Sequence, residues 1–384
     1  MRIFLCCQQD LQLHPVPSYR FWRHYFINAL TEAGHEVIEP KEIDWAEGLM
    51  LTNSSELPIW RERNWEEMLK QIRTEHQKRR IDLFLSYFYP HQIEPSAIEE
   101  IQALNIPCVH FFCDNVRDFH KIPKTFHPFD LHWVPEKKAL QLYGKANLPH
   151  IHLPMPVWIE PVFTSPPENE IYMSVFIGSA DALRSQLLAE AHHLGADFTI
   201  YGPGWNTSPP QQPTSSQHLG DKLIQAAHFL KEEGPISWYR RYLQSPPEPT
   251  LRLPEDRIKP GLEHSHYIQL TRSSSIVIGV NRYPSFRHPF HKPDTYSRLR
   301  DIEAPMLGAC YLTEWTEGIE ELFEPDKEVA YYRNAEELSE KLKDLQSRPE
   351  KRMLMRQNAQ KRALSEYTIA RSIEHIVKEL SLSS

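Results

Sequence analysis

The sequence predicts an α/β fold of two doubly wound, parallel-sheet domains facing a central cleft. Strand and helix signals alternate through the first third, a proline-dense stretch at 153–168 interrupts them, and the alternation then restarts. The 384 residues also exceed one ordinary core, since a domain holds roughly 100–200 residues.

Residues 2–7 read as a buried strand, being continuously apolar after Arg2. Residues 19–33 carry Phe21, Trp22, Tyr25, Phe26, Ala29 and Leu30 at helical spacing, so they predict an amphipathic helix. Gly34 stops it and 36–38 begins the next strand. Further strands follow at 82–89, 108–113 and 130–134, with a helix at 95–104. After the hinge, strands are predicted at 173–177, 197–201, 276–280 and 310–313. Helices are predicted at 182–194, 219–232, 296–308, 335–346, 349–365 and 367–381. The Pro/Ser/Gln-rich stretch at 206–216 reads as a loop, and 245–260 is also proline-rich. The resulting division is 1–155, 156–365, and a helix within 366–384 packing back toward the N-terminal domain.

Forty per cent hydrophobic and eleven per cent aromatic residues suffice to fill two cores. A net charge of −8 argues against nucleic acid as the partner. Lys78, Arg79 and Arg80, beside Arg73 and His76, read as a solvated helix end. No apolar run approaches the ~20 residues of a membrane helix. The N-terminus runs straight into a strand without a signal-peptide pattern. The five cysteines, Cys6, Cys7, Cys108, Cys113 and Cys310, form no CxxC pair. Free thiols fit a reducing compartment, so the expected location is cytoplasmic.

Four segments carry possible chemistry. Phe176-Ile-Gly-Ser-Ala-Asp-Ala-Leu-Arg184 runs from a strand through Gly178 and Ser179 into a helix start, a place that favours anions, with Arg184 one turn inside. The alternative is an ordinary turn with a surface Arg. In Ile200-Tyr-Gly-Pro-Gly-Trp205, Gly202 and Gly204 permit close approach of a planar ligand, and Tyr201 or Trp205 offers an aromatic face. The alternative is a tight turn with Trp205 packed. In Ser297 to Glu314, Arg300 and Glu303 share a helix face, suiting phosphate and ribose, or form a surface ion pair. Pro305 and Gly308 are read as ending that helix. In Pro107 to Arg117 and the loop beyond, Asp114 or His120 can act on an acceptor hydroxyl, or Asp114 caps the next turn.

Twenty histidines raise the question of a metal, but His192–His193, His264/His266 and His288/His291 lack partners at ligand spacing. HExxH, Walker A, GxSxG and a GxGxxG after the first strand are all absent. No metal and no bound cofactor are expected.

Together these segments resemble the CgeB-like, spore-maturation-protein-type glycosyltransferases, GT-B enzymes with a "glycosyltransferases group 1" C-terminal domain. The resemblance is strongest in Arg300-Asp-Ile-Glu303-Ala-Pro-Met-Leu-Gly308-Ala-Cys-Tyr-Leu-Thr313 and in Glu321-Leu-Phe-Glu-Pro-Asp-Lys-Glu-Val329. It implies a metal-independent, retaining transfer from a UDP-, GDP- or TDP-linked sugar to a protein, glycan or small-molecule hydroxyl. It places Glu303 on the ribose, Arg300 facing the nucleotide, Gly178, Ser179 and Arg184 near the diphosphate, and Tyr201 to Trp205 near the base. Relatives carry two glutamates in an E-x7-E arrangement; here the first position is Thr295, with Asp294 beside it. A sugar-nucleotide epimerase and a non-catalytic sugar- or nucleotide-binding protein stand as alternatives.

Overall fold

The computed structural model describes residues 1–14, 20–51, 55–167, 169–205, 219–247 and 250–381. The chain divides into two compact units, Met1–Trp158 with Tyr367–Ser384, and Ile159–Glu366. Each is built around a six-stranded parallel sheet.

In the first unit the order along the chain is β1 (Arg2–Cys7), α1 (Arg20–Glu32), β2 (Glu36–Ile38), α2 (Glu56–Lys78), β3 (Leu83–Tyr87), α3 (Pro95–Ala103), β4 (Cys108–Phe111), α4 (Asn115–Asp118), β5 (Leu131–Val134), α5 (Leu140–Ala146) and β6 (His150–His152). Its strands lie in the order β2-β1-β3-β4-β5-β6. β1, β3, β4 and β5 are buried throughout, which is why they read as apolar runs. α1 buries Trp22, Tyr25, Phe26, Ala29 and Leu30. Its Trp22 meets Phe111 with ring centroids 5.1 Å apart, and Phe26 meets Trp133 at 5.8 Å.

The second unit comprises β7 (Val175–Ile177), α6 (Ala182–His193), β8 (Thr199–Tyr201), α7 (Leu219–Tyr242), β9 (Ile258–Lys259), α8 (His264–Ser273), β10 (Val277–Gly279), β11 (Arg282–Tyr283), β12 (Asp294–Thr295), α9 (Leu299–Met306), β13 (Tyr311–Glu314), α10 (Ile319–Leu322), β14 (Ala330–Tyr332), α11 (Ala335–Ser347) and α12 (Pro349–Glu366). Its sheet runs β14-β13-β10-β7-β8-β9. α13 (Ile369–Glu379) belongs to the first unit, where Ile369, Ile373 and Ile376 are buried and the helix packs on α1.

Strand order fixes where ligands go. In the second unit it reverses between β7 and β10, and the crevice beyond their carboxyl ends is the topological switch point. The first unit reverses between β1 and β3. There the chain leaves β1 with two buried glutamines instead of a glycine turn. Gln8 Nε2 donates to Tyr87 O at 3.0 Å and to Gln92 Oε1 at 2.6 Å. Gln92 Nε2 in turn donates to Trp45 O at 2.8 Å. Side-chain amides therefore fill that switch point.

Some elements differ from the sequence reading. α9 spans only Leu299–Met306, and Pro305 lies inside it instead of ending it. The ladder continues past the missing N–H, with Leu307 N donating to Glu303 O at 2.9 Å, and Gly308 at φ +78° ends the turn. α7 extends to Tyr242 across a break at Gly234, φ +82°, followed by Pro235. The loop reading at 206–216 lies outside the described residues.

Candidate functional site

The switch point of the second unit is built from two glycine turns pressed together. Gly178 N donates to Tyr201 O at 2.8 Å, and Ala180 N donates to Pro203 O at 3.0 Å. Trp205 Nε1 closes the pair by donating to Gly178 O at 2.8 Å. The Trp205 ring meets Phe176 at 5.8 Å and packs against the core of this unit. Its indole therefore serves the turn; the half-buried Tyr201 carries the neighbouring aromatic surface.

Three arginines converge there. Arg184 is capped into α6 by Asp181, whose Oδ1 accepts from Arg184 N at 2.9 Å, while Oδ2 lies 3.2 Å from Nε. Arg184 Nη1 donates to the carbonyl of the exposed Ser179 at 2.7 Å. Burial lowers the Arg184 pKa; Asp181 opposes this, while Arg298 and Arg300 push the same way. Burial is the larger cause, and the contributions of Arg298 and Arg300 show that both guanidinium groups lie close enough to Arg184 to be felt. Arg184 is thus an ordered, buried group, unlike the surface-Arg alternative.

Arg300 reaches from the first turn of α9 to the end of β7, where Nη1 donates to Ile177 O. Arg298 lies over the Tyr296 and Tyr283 rings at 5.1 and 5.6 Å. Glu303 is only 4% exposed, which removes the surface ion-pair reading. Tyr267 of α8 bridges the two: its hydroxyl accepts from Arg300 Nε at 3.4 Å and donates to Glu303 Oε2. The Arg300 guanidinium also stands 5.4 Å from the Tyr267 ring centre. Burial and the Glu303 charge raise the Tyr267 pKa, so the hydroxyl stays protonated and able to donate.

A buried polar scaffold holds this end of α9. Asp301, 1% exposed, accepts from Tyr311 Oη at 3.0 Å, Thr313 Oγ1 at 3.1 Å, Asn281 Nδ2 at 3.3 Å and Arg298 N at 2.8 Å. Burial raises its pKa and these four donors oppose the shift. Glu314, at the end of β13, accepts from Asn281 N at 3.1 Å, Arg282 N at 2.7 Å and Arg282 Nη2 at 2.6 Å. Arg282 and Thr295 are register partners across the β11–β12 hairpin.

Gly178, Ser179, Arg184, Tyr201, Gly202, Gly204, Arg300 and Glu303 thus gather at one switch point. Gly308 does not join them. It closes the far end of α9, where an added Cβ would stand 2.9 Å from Pro166 Cα. Periodicity and motifs do not single out Tyr267, Arg298, Asn281 or Asp301. Arg298 and Asp301 flank the Arg/Glu pair in sequence; Tyr267 and Asn281 come from separate elements.

Asp114 and His120 lie in the first unit. Asp114 stands at the start of α4, but its side chain makes no capping bond there. Glu136 takes that role instead: Asn115 N donates to Oε2 at 2.8 Å and Val116 N to Oε1 at 3.4 Å. The capping alternative for Asp114 is therefore overturned. His120 is exposed two residues beyond α4. Among the described residues, no group of three or more His, Cys, Asp or Glu is arranged to hold a metal ion, and no helix is long and apolar enough to cross a membrane.

Comparison with known proteins adds the following. A family model described as "Glycosyl transferase-like" matches residues 184–378. No curated protein matches the sequence. Among solved structures, sucrose-phosphate synthase from Thermosynechococcus elongatus superposes with a TM-score of 0.59 at 12% identity, covering 99% of this chain and 98% of that one. A glycosyltransferase from Rickettsia africae gives 0.59 at 12% identity, covering 100% and 99%. Anabaena HepE in complex with UDP gives 0.54 at 13% identity, covering 99% of each chain. At these identities the likeness shows the fold, which is the GT-B pair of parallel-sheet α/β domains.

Proposed function

The chain belongs to the glycosyl transferase-like family, and on that premise we propose that it moves a sugar from a nucleotide-sugar donor to a hydroxyl of a protein, glycan or small molecule. The observation that carries this reading is the Arg184–Arg298–Arg300 cluster at the β7/β10 switch point, with Tyr267 and the buried Glu303 beside it. A nucleoside diphosphate has the matching chemistry. Its phosphates suit the arginines and the start of α6, and vicinal ribose hydroxyls suit a fixed carboxylate.

In the transfer, the bond from the anomeric carbon to the diphosphate oxygen breaks and the acceptor oxygen bonds to that carbon. The acceptor's proton leaves with the diphosphate or through a base. Charge develops on the leaving oxygen, where Arg184 and Arg300 stand; cations already in place lower the barrier without reorganisation. Within this reading the reaction is metal-independent and retaining, the enzyme works in the cytoplasm, and Asp114 and His120 belong to the acceptor side. The motifs from Arg300 to Thr313 and Glu321 to Val329 favour the CgeB-like branch. HepE, whose solved complexes hold UDP and UDP-glucose, supplies a precedent for the donor class.

One observation favours a second reading. Thr295 occupies the position of the first glutamate of E-x7-E, and no carboxylate replaces it there. A protein that binds the nucleotide without turning over the sugar would tolerate that change. Incubation with UDP-, GDP-, TDP- and ADP-sugars, with and without cell extract, separates the readings. Release of a nucleoside diphosphate supports transfer; binding without release from any donor supports the second reading; conversion of one sugar nucleotide into another indicates an epimerase.

A further inference from the structure

Tyr267 comes from α8, outside the glycine turns and the α9 motif that define the donor site. It nevertheless touches both charged groups of that motif. Its hydroxyl is the shared atom, accepting from Arg300 Nε and donating to Glu303 Oε2, and its ring lies under the Arg300 guanidinium. Arg300 and Glu303 are three residues apart on one helix face, a spacing at which opposite charges attract directly. A hydroxyl between them holds the carboxylate and the guanidinium in separate, fixed directions.

We propose that Tyr267 is a positioning residue that keeps Glu303 aimed at the ribose and away from Arg300, and so sets how strongly the site distinguishes a ribonucleotide from its 2′-deoxy counterpart. The inference rests on the donor-site reading above. It ranks UDP- and GDP-linked donors above TDP-linked ones, because a thymidine donor lacks the 2′-hydroxyl. Without the Tyr267 hydroxyl, Glu303 turns toward Arg300, and the ribose loses a carboxylate partner while the phosphates keep theirs.

The test is calorimetric titration of the full chain with UDP, GDP, their 2′-deoxy forms and pyrophosphate. Tyr267→Phe keeps the ring under Arg300 and removes only the hydroxyl. Losing an aligned hydrogen bond to a charged group corresponds to about a tenfold weakening or more. The wild type should prefer the ribonucleotide about tenfold; Y267F should lose most of that preference, while pyrophosphate binding changes less than about threefold and Tm falls by no more than the loss of one buried hydrogen bond accounts for. Should Y267F fold poorly, Tyr267→His supplies a ring with an N–H donor, and part of the preference should return. A folded Y267F that keeps the full preference, or a wild type that binds UDP and 2′-deoxy-UDP equally, overturns the role of Tyr267 and leaves the phosphate site standing. A wild type that binds neither nucleotides nor pyrophosphate removes the donor-site reading itself.

Discussion

A Cβ on Gly202 would stand 2.0 Å from the carbonyl oxygen of Gly178. The two turns at the heart of the site are in backbone contact, and a side chain at Gly202 forces them apart. Gly202→Ala should destabilise the protein by about 1–3 kcal/mol and weaken nucleotide binding as well, because Arg184 is tied to the same turn through Ser179 O. Gly261→Ala is the control, since its Cβ would meet Pro203 Cδ at an ordinary 3.6 Å. Denaturant unfolding and UDP titration of both variants check the pair.

The arginine cluster makes a second prediction. Arg184→Gln and Arg300→Ala should each raise the Kd for a nucleoside diphosphate by about 10–100-fold, the range expected for a charge-assisted bond. The loss should shrink as salt is added. Nucleotide titration at two ionic strengths measures it, and an unchanged Kd in both variants would place the diphosphate elsewhere.

Acid should unfold the first unit through its core histidines. Burial pushes the pKa of His110 down to about 3, opposed by its bond to Phe88 O. Burial likewise lowers His132, whose ring centroid lies 5.6 Å from that of His110. An unfolded imidazole takes its proton near pH 6.5. The stability from neutral burial is therefore complete above pH ~6.5 and is lost as pH falls below it, amounting to about 2 kcal/mol for His110 at pH 5. The stability of a His110→Leu/His132→Leu variant should fall less steeply between pH 7 and 5, whatever its value at pH 7.

Arg356 of α12 is fully buried and donates to Arg272 O at 2.8 Å and Gly308 O at 3.0 Å, carbonyls near the ends of α8 and α9. It also donates to Ser274 O and faces Glu170. Arg356→Met leaves these acceptors without their donor and should cost about 3–5 kcal/mol. Arg356→Lys should recover little, since an ammonium cannot fork to several carbonyls. Nucleotide affinity per folded molecule should stay near the wild-type value, which titration of the folded fraction checks.

Much of the fold was legible because its central strands are buried on both faces. Residues 2–7, 82–89 and 108–113 read as short apolar runs, within which the strands 2–7, 83–87 and 108–111 lie. The shortest strands were not legible: β9, β11 and β12 have two residues each, too few for any period. α2 was hidden for another reason. Its buried stripe, Trp60, Trp65, Met68, Leu69 and Ile72, is interleaved with charges that make the segment look solvated. At the site, Gly178 to Arg184 and Arg300 to Glu303 could be found because ligand and helix geometry impose local spacing. Tyr267 could not, since a contact made across 36 residues leaves no periodic trace. Asp301 left no signal because α9 is buried on nearly every side, which one amphipathic face does not reveal.

The docking of α13 against α1 bears on how the protein is made. Val157 and Thr368 form a parallel bridge, and the segment beyond it completes the first unit. Residues 159–366 are contiguous and can close their sheet as they leave the ribosome. The first unit has to wait. Its first 158 residues emerge early, but the helix that covers α1 follows the whole of the second unit in sequence. Until Ile369, Ile373 and Ile376 are in place, the α13-facing surface of α1 stays uncovered.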